Sequence, residues 1–167
     1  MKIAFLDRDG TIIKDYPDSV WSSIDEPEFI EGSFEALRRI KALGYQIIIV
    51  TNQYLIDEGF IRQNDYELFA KKFIDLLSEQ DIDVLDVFYC PHSRSSGCKC
   101  CKPEVGMIEK AIQKYPSINL ASSFFCGDSY CDLELAEKFN LRFFGIELES
   151  NNSTKIRSIA EIPKLLV

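Results

Sequence analysis

The chain has 167 residues, 46% of them apolar, and a formal net charge of −8; its mean hydropathy is −0.07. That length suits one domain with a full core, the composition is that of an ordinary soluble protein, and no stretch approaches a membrane-spanning length. The acidic balance weighs against a binder of nucleic-acid backbone, which needs a basic face, but leaves room for a small anionic substrate whose field a metal and a lysine can reverse.

The expected elements follow in chain order. Ile3-Ala4-Phe5-Leu6 suits a buried strand, and Asp7-Arg8-Asp9-Gly10-Thr11 ends it. Residues 12–32 show no period and carry Pro17, Trp21 and Pro27, so a small flap over the strand end is expected, with Trp21 turned to the core. Phe34, Leu37, Ile40, Ala42 and Leu43 recur at helical spacing, and Gly44 is placed to end that helix. The β-branched run 45–50 is a second strand. Leu68, Phe69, Phe73, Leu76 and Leu77 mark an amphipathic helix over 64–78. A strand over 84–89, a helix over 105–115, a strand over 122–126, a helix over 133–139 and a strand over 141–146 complete the alternation. The tail, with Ile156, Ile159, Ile162, Leu165 and Leu166, is expected to dock a short helix. Strands alternating with helices predict an α/β fold, a three-layer Rossmann-like parallel sheet flanked by helices with right-handed crossovers and a minimal cap. Residues 1–167 then form a single domain with a flap at about 12–32 and a second insertion at about 90–103.

Polar residues collect at the strand ends, where open α/β sheets bind ligands. Asp7 and Asp9 are close enough to share one hard cation, and a carboxylate can also attack phosphorus. A solvated Asp-Gly turn is the plain alternative. Thr51 and Asn52 close the second strand and can donate to a phosphate oxygen, or serve as ordinary strand-end residues. Lys102-Pro103 offers a cation before a helix. Gly127-Asp128 ends the fourth strand, with Asp132 four residues on; Asp128 can complete a metal site or cap the next helix.

The order of these pieces, strand-DxDGT, strand-Thr, Lys-Pro and strand-GDxxxD, resembles the haloacid dehalogenase superfamily of phosphohydrolases along nearly the whole chain. The resemblance implies that Asp7 is the nucleophile and forms an aspartyl-phosphate. Asp9 would protonate the leaving oxygen and then activate water, which calls for a partly protonated Asp9. Magnesium would be held by the Asp7 carboxylate, the Asp9 backbone carbonyl and Asp128. Thr51, Asn52 and Lys102 would grip the phosphoryl group, and Asp132 would orient Lys102 or the waters of the metal.

Four of the six cysteines lie between Cys90 and Cys101. Cys90, His92, Cys98 and Cys100 supply three sulfurs and a nitrogen, a tetrahedral zinc set with no open position, so the zinc is expected to be structural and to hold Lys102 in place. Cys101 is read as a non-ligating neighbour, Cys126 as strand packing and Cys131 as inert; Arg8 either reaches substrate or faces solvent. This loop is similar to the zinc-containing subgroup that holds heptose-1,7-bisphosphate and histidinol-phosphate phosphatases. The implied substrate is a sugar phosphate of the heptose-bisphosphate type, with a histidinol-phosphate-like or other small phosphomonoester as the alternative.

Three departures bear on that choice. Cys101 replaces a usual arginine, Ser129 a frequent lysine, and Asp57-Glu58 stand where the subgroup is Ser-Gly-rich and carries an arginine. Each removes positive charge or adds negative charge near the mouth, which points toward a smaller or less charged phosphomonoester. A catalytically silent, zinc-stabilised binding module is the rival of another class, and the intact set of Asp7, Asp9, Thr51, Lys102 and Asp128 weighs against it. A nucleic-acid end phosphatase lacks its basic stripe. Expected, then, is a monomer acting on a small phosphate ester, without nucleic-acid or membrane partners. Met1-Lys2 leads into only four apolar residues before charge begins, which predicts no secretory signal and a cytoplasmic setting.

Overall fold

The alternating pattern resolves, in a computed structural model describing residues 1–167, into one parallel sheet covered on both faces. The strands are β1 (Lys2–Leu6), β2 (Tyr45–Asn52), β3 (Asp86–Cys90), β4 (Phe124–Gly127), β5 (Arg142–Ile146) and β6 (Thr154–Ile156). Their spatial order is β3-β2-β1-β4-β5-β6, and every adjacent pair is parallel. The helices are α1 (Ser33–Ala42), α2 (Gln63–Ser78), α3 (Gly106–Lys114), α4 (Tyr130–Lys138) and α5 (Ile162–Leu165). No helix is long and apolar enough to cross a membrane.

Alternate strand residues sort into two cores. Ala4, Leu6, Ile47 and Ile49 pack with Leu37 and Ile40 of α1 and with Phe69 and Phe73 of α2. Ile3, Phe5, Ile48 and Val50 pack with Met107 and Ile108 of α3 and Leu133 of α4. Burial on both faces is why these strands read as unbroken apolar runs.

Strand order reverses between β1 and β4, and such a reversal opens a crevice beyond the carboxyl ends. Leu6 pairs with Ile49 on one side and Cys126 on the other, and the Asp7 amide donates to the Cys126 carbonyl at 2.9 Å. Asp7, Thr51 and Asp128 therefore leave the sheet from neighbouring strands. Further along, Asn52 pairs with Cys90, and the Gln53 amide donates to the Cys90 carbonyl at 2.7 Å. The first cysteine of the cluster thus starts beside the end of β2.

Over residues 12–32, Ile13 bridges to both Asp9 and Phe29, and a short 3-10 turn, Asp18–Ser23, carries Trp21 inward. Trp21 is buried, edge-on to Phe69 at 5.6 Å.

The elements differ from expectation where local chemistry overrides periodicity. Helix α4 starts at Tyr130, ahead of 133, because Ser129 and Asp132 form a reciprocal capping box. Strand β4 starts at Phe124, because Leu120–Ser122 form a 3-10 turn just before it. Strand β3 runs over Asp86–Cys90 instead of 84–89, following its register with β2. The tail forms a sixth strand as well as a helix; with three residues, β6 is too short to show a period. Leu68 is 64% exposed, because the buried stripe of α2 is Tyr66, Phe69, Phe73 and Leu77.

Phe73, fully buried, stacks on Phe29 at 5.7 Å and joins α2 to the flap. Phe73→Ala is expected to cost about 3–5 kcal/mol, seen as a lower urea midpoint with an unchanged slope; a loss below about 1 kcal/mol would show that this contact does not anchor the flap.

Candidate active site

The turn after β1 depends on Gly10, whose φ of +80° is left-handed and whose missing Cβ makes room for the Asp128 carboxylate. Gly127 does the same for Asp132, since a Cβ there would strike that side chain. Small residues at both strand ends let carboxylates from β1 and β4 converge. Carboxylate oxygens of Asp7, Asp128 and Asp132 all lie within 4.8 Å of one another.

One cation sits among them. The Lys102 ammonium group donates to Asp7 Oδ1 at 2.7 Å and to the Val50 carbonyl at 2.9 Å, and pairs with Asp132 Oδ1 at 2.7 Å. Lys102 is 5% exposed. Burial alone would lower its pKa, but the charges of Asp132 and Asp7 outweigh that and raise it, so the ammonium form persists. Asp132 also accepts from the Ser129 hydroxyl at 2.6 Å. The expected link between Asp132 and Lys102 is present as a direct ion pair.

Asn52 is engaged differently from expectation. Its Oδ1 accepts from the Lys102 amide at 2.8 Å, and its Nδ2 donates to the Lys102 carbonyl at 3.2 Å. The side chain clamps the backbone that carries Lys102. Thr51, fully buried, accepts from Gln53 Nε2 at 3.0 Å, which leaves its hydroxyl proton able to donate.

Asp9 does not join the acidic cluster through its side chain. Arg8 forks onto both its oxygens, Nε to Oδ1 at 2.8 Å and Nη2 to Oδ2 at 3.0 Å, and Gln53 Nε2 donates to Oδ2 at 2.7 Å. The guanidinium fork thus occupies both oxygens of the Asp9 side chain. Arg8 does not face solvent: it is 2% exposed and lies near the rings of Phe69, Tyr66 and Trp21, at 5.1, 5.6 and 5.9 Å. Arg8 and Gln53 are the residues whose roles the spacing did not disclose. A carboxylate two positions after Asp7 needs a partner, and that need was the only available sign of them.

These groups line a cavity of about 220 Å³, whose walls include Asp7, Asp9, Thr51, Lys102, Asp128 and Trp21. Asp15, Asp132 and Tyr54 also line it, and Lys102 is its one basic side chain. The imbalance has a direct consequence. Burial, opposed by Lys102 and reinforced by Asp132, Asp128 and Asp9, holds the Asp7 pKa well above the ordinary carboxylate range. Desolvation by the surrounding protein and the Asp132 charge push Asp128 up to about 6, against the pull of Lys102. An all-oxygen donor set short of positive charge, with a glycine cradle for Asp128, fits a hard divalent cation such as magnesium.

The sulfur cluster sits at the end of β3. Ligand atoms of Cys90, His92, Cys98 and Cys100 lie within 4.8 Å of one another. Cys90 Sγ is 3.4 Å from His92 Nδ1 and 3.5 Å from Cys98 Sγ, close to the edges of a tetrahedron with zinc–sulfur bonds of about 2.3 Å. The donor set fits zinc. Cys101 stands outside this set, Cys126 is buried in β4, and Cys131 is exposed at the start of α4.

Asp57 and Glu58 are not free charges at the mouth. The Ser93 amide donates to Asp57 Oδ2 at 2.8 Å, and Arg94 Nε donates to Glu58 Oε1 at 3.0 Å. Of the two, Glu58 has a cationic partner in the cysteine loop and Asp57 a backbone amide there.

A family model described as polynucleotide kinase 3 phosphatase matches residues 2–145. A D-glycero-alpha-D-manno-heptose-1,7-bisphosphate 7-phosphatase of Photorhabdus laumondii is 39% identical over 145 residues, covering 83% of this chain and 78% of that protein. A D-glycero-beta-D-manno-heptose-1,7-bisphosphate 7-phosphatase of Pasteurella multocida is 31% identical, covering 99% of this chain and 96% of that one. Among solved structures, the D,D-heptose 1,7-bisphosphate phosphatase of B. bronchiseptica, complexed with magnesium and phosphate, superposes with a TM-score of 0.86 at 23% identity, covering 99% of this chain and 98% of that one. With the parallel sheet and its acidic switch point, these matches make the chain a member of the polynucleotide kinase 3 phosphatase family of haloacid-dehalogenase-type phosphatases.

Proposed function

We propose that this phosphatase is a magnesium-dependent phosphomonoesterase that forms an aspartyl-phosphate on Asp7, and that its substrate is a sugar phosphate of the heptose-bisphosphate type. The observation that carries the reading is the buried Asp7 carboxylate, paired with Lys102 at 2.7 Å beside Asp128 and Thr51 in one cavity. The names of the relatives supply the substrate class.

A carboxylate does not attack a dianionic phosphate unless the charge between them is offset. Magnesium held by Asp7, Asp128 and the Asp9 backbone carbonyl would supply part of that offset. Lys102 supplies the rest, its position set by Asn52 and Asp132. One oxygen of Asp7 attacks phosphorus as the bond to the sugar oxygen breaks, while Lys102 and the Thr51 hydroxyl hold the phosphoryl oxygens. Asp9, turned from Arg8 toward the cavity, gives a proton to the leaving oxygen. It then takes one from the water that hydrolyses the aspartyl-phosphate, which restores Asp7 and releases phosphate. General acid–base help of this kind contributes about 10²–10⁴-fold.

Zinc on Cys90, His92, Cys98 and Cys100 would be structural, because four protein ligands leave no open position. Reduced thiols suit a reducing compartment, which supports a cytoplasmic setting. We read residues 1–167 as a single catalytic unit, with a flap at about 12–32 and a zinc loop at about 90–103. The net charge of −8 weighs against a nucleic-acid substrate, despite the family description.

Asp7→Asn is expected to abolish magnesium-dependent hydrolysis of p-nitrophenyl phosphate, and Asp9→Asn to lower turnover of sugar phosphates by about 10²–10⁴-fold; near-normal turnover by Asp7→Asn would refute the nucleophile. In a panel of sugar phosphates, amino-alcohol phosphates and 3′-phosphorylated DNA, heptose-1,7-bisphosphate is expected to rank first, and a lead by DNA would overturn the substrate class. Purified protein is expected to carry stoichiometric zinc. Cys100→Ser should lose it and lose activity that added magnesium does not restore; full activity without zinc would exclude a role in placing Lys102.

A further inference from the structure

The cysteine loop, besides leading to Lys102, bonds to the flap and to the loop after β2. Arg94, at its tip, donates from Nε to Glu58 Oε1 at 3.0 Å and from Nη2 to Asp18 Oδ2 at 3.3 Å. Its guanidinium lies 4.0 Å from the centre of the Tyr54 ring. The Tyr54 hydroxyl in turn donates to Asp18 Oδ1 at 3.0 Å. Backbone bonds run alongside: the Arg94 amide donates to Glu58 Oε1 at 3.0 Å, the Ser93 amide to Asp57 Oδ2 at 2.8 Å, and the Asp57 amide to the Pro91 carbonyl at 3.2 Å.

Three segments with no shared secondary structure meet at this one guanidinium: the 3-10 turn of the flap, the loop after β2 and the cysteine loop. Tyr54 and Trp21, from the first two, are the aromatic walls of the cavity. Burial and the bond to Asp18 push the Tyr54 hydroxyl up to about 12, so it remains a neutral donor. None of these groups touches Asp7, Asp128 or Lys102 in the hydrogen-bond network.

We infer that Arg94 is a positioning residue for substrate specificity, strapping the cysteine loop to Asp18, Tyr54 and Glu58 so that the wall facing the leaving group is held in place. Order in the cysteine loop then reaches the substrate by two routes: Lys102 for the phosphoryl group and Arg94 for the remainder of the molecule. The kinetic part of this inference rests on the proposed sugar-phosphate activity; the structural part does not.

The test uses the zinc-loaded protein, the sugar phosphate that ranks first in the panel, and inorganic phosphate as a competing product. Arg94→Ala is expected to raise KM for the sugar phosphate roughly three- to tenfold, the range that exposed ion pairs and cation–π contacts support. The kcat should stay within about twofold, as for a lost uniform-binding contact. The inhibition constant for inorganic phosphate, which occupies only the phosphoryl site, and the zinc content should not change. Arg94→Lys, which keeps the charge but not the fork, should recover part of the KM. Amide hydrogen exchange over residues 18–23 and 54–61 should quicken in Arg94→Ala. An unchanged KM, an unchanged exchange pattern, or loss of zinc from Arg94→Ala would each overturn the strap. If the parent protein hydrolyses no sugar phosphate, the substrate reading fails alone, and the exchange measurement still decides the strap.

Discussion

A single buried ammonium group holds the active end of this sheet together. Lys102 stands between Asp7 and Asp132 at 2.7 Å from each, almost wholly buried. Ion pairs so placed are costly to desolvate and are kept only when geometry and further hydrogen bonds offset that cost. Here the offset comes from the Val50 carbonyl, from the Asn52 clamp on the lysine backbone, and from Ser129 on the far oxygen of Asp132. Remove the lysine and carboxylates from two strands and a helix are left facing one another with no internal counter-charge.

That constraint explains the path of the chain between β3 and α3. Lys102 belongs to no strand or helix, so nothing in the sheet itself places its backbone. The cysteine cluster does so: Cys90 is fixed by its register with Asn52, Cys100 is two residues before Lys102, and Asn52 grips Lys102 directly. The acidic cluster at the end of β1 and the cysteine cluster at the end of β3 are therefore joined through one asparagine.

Much of this was legible before any coordinates. The strands are apolar on both faces, so their runs stand out, and the reversal of strand order puts Asp7 and Asp128 together once the elements are in place. The tight spacing of Cys90, His92, Cys98 and Cys100 picks out four donors whose ligand atoms do come together. What stayed hidden depends on side chains meeting across long separations. Asn52 reads as a phosphate donor by position, yet its amide geometry matches the backbone of a residue fifty positions on. Arg8 reads as a surface or substrate residue, yet it is buried against Asp9 among three aromatic rings. Asp57 and Glu58 read as repulsive charges because their partners, the Ser93 amide and Arg94, lie in a loop that only folding brings near. Local periodicity carries none of these pairings. The short β6 and the early start of α4 escaped for a related reason, since three residues show no repeat and a capping box is a matter of two side chains.

Asp132 closes the first turn of α4 through Ser129 and, from the same carboxylate, faces the ammonium group of Lys102. Helix capping and the ion pair with Lys102 thus share one carboxylate. A lineage drifting away from phosphatase work could discard the Thr51 hydroxyl and keep its architecture intact. Position 132 would be among the last to vary, because the helix would still require it after the reaction had gone.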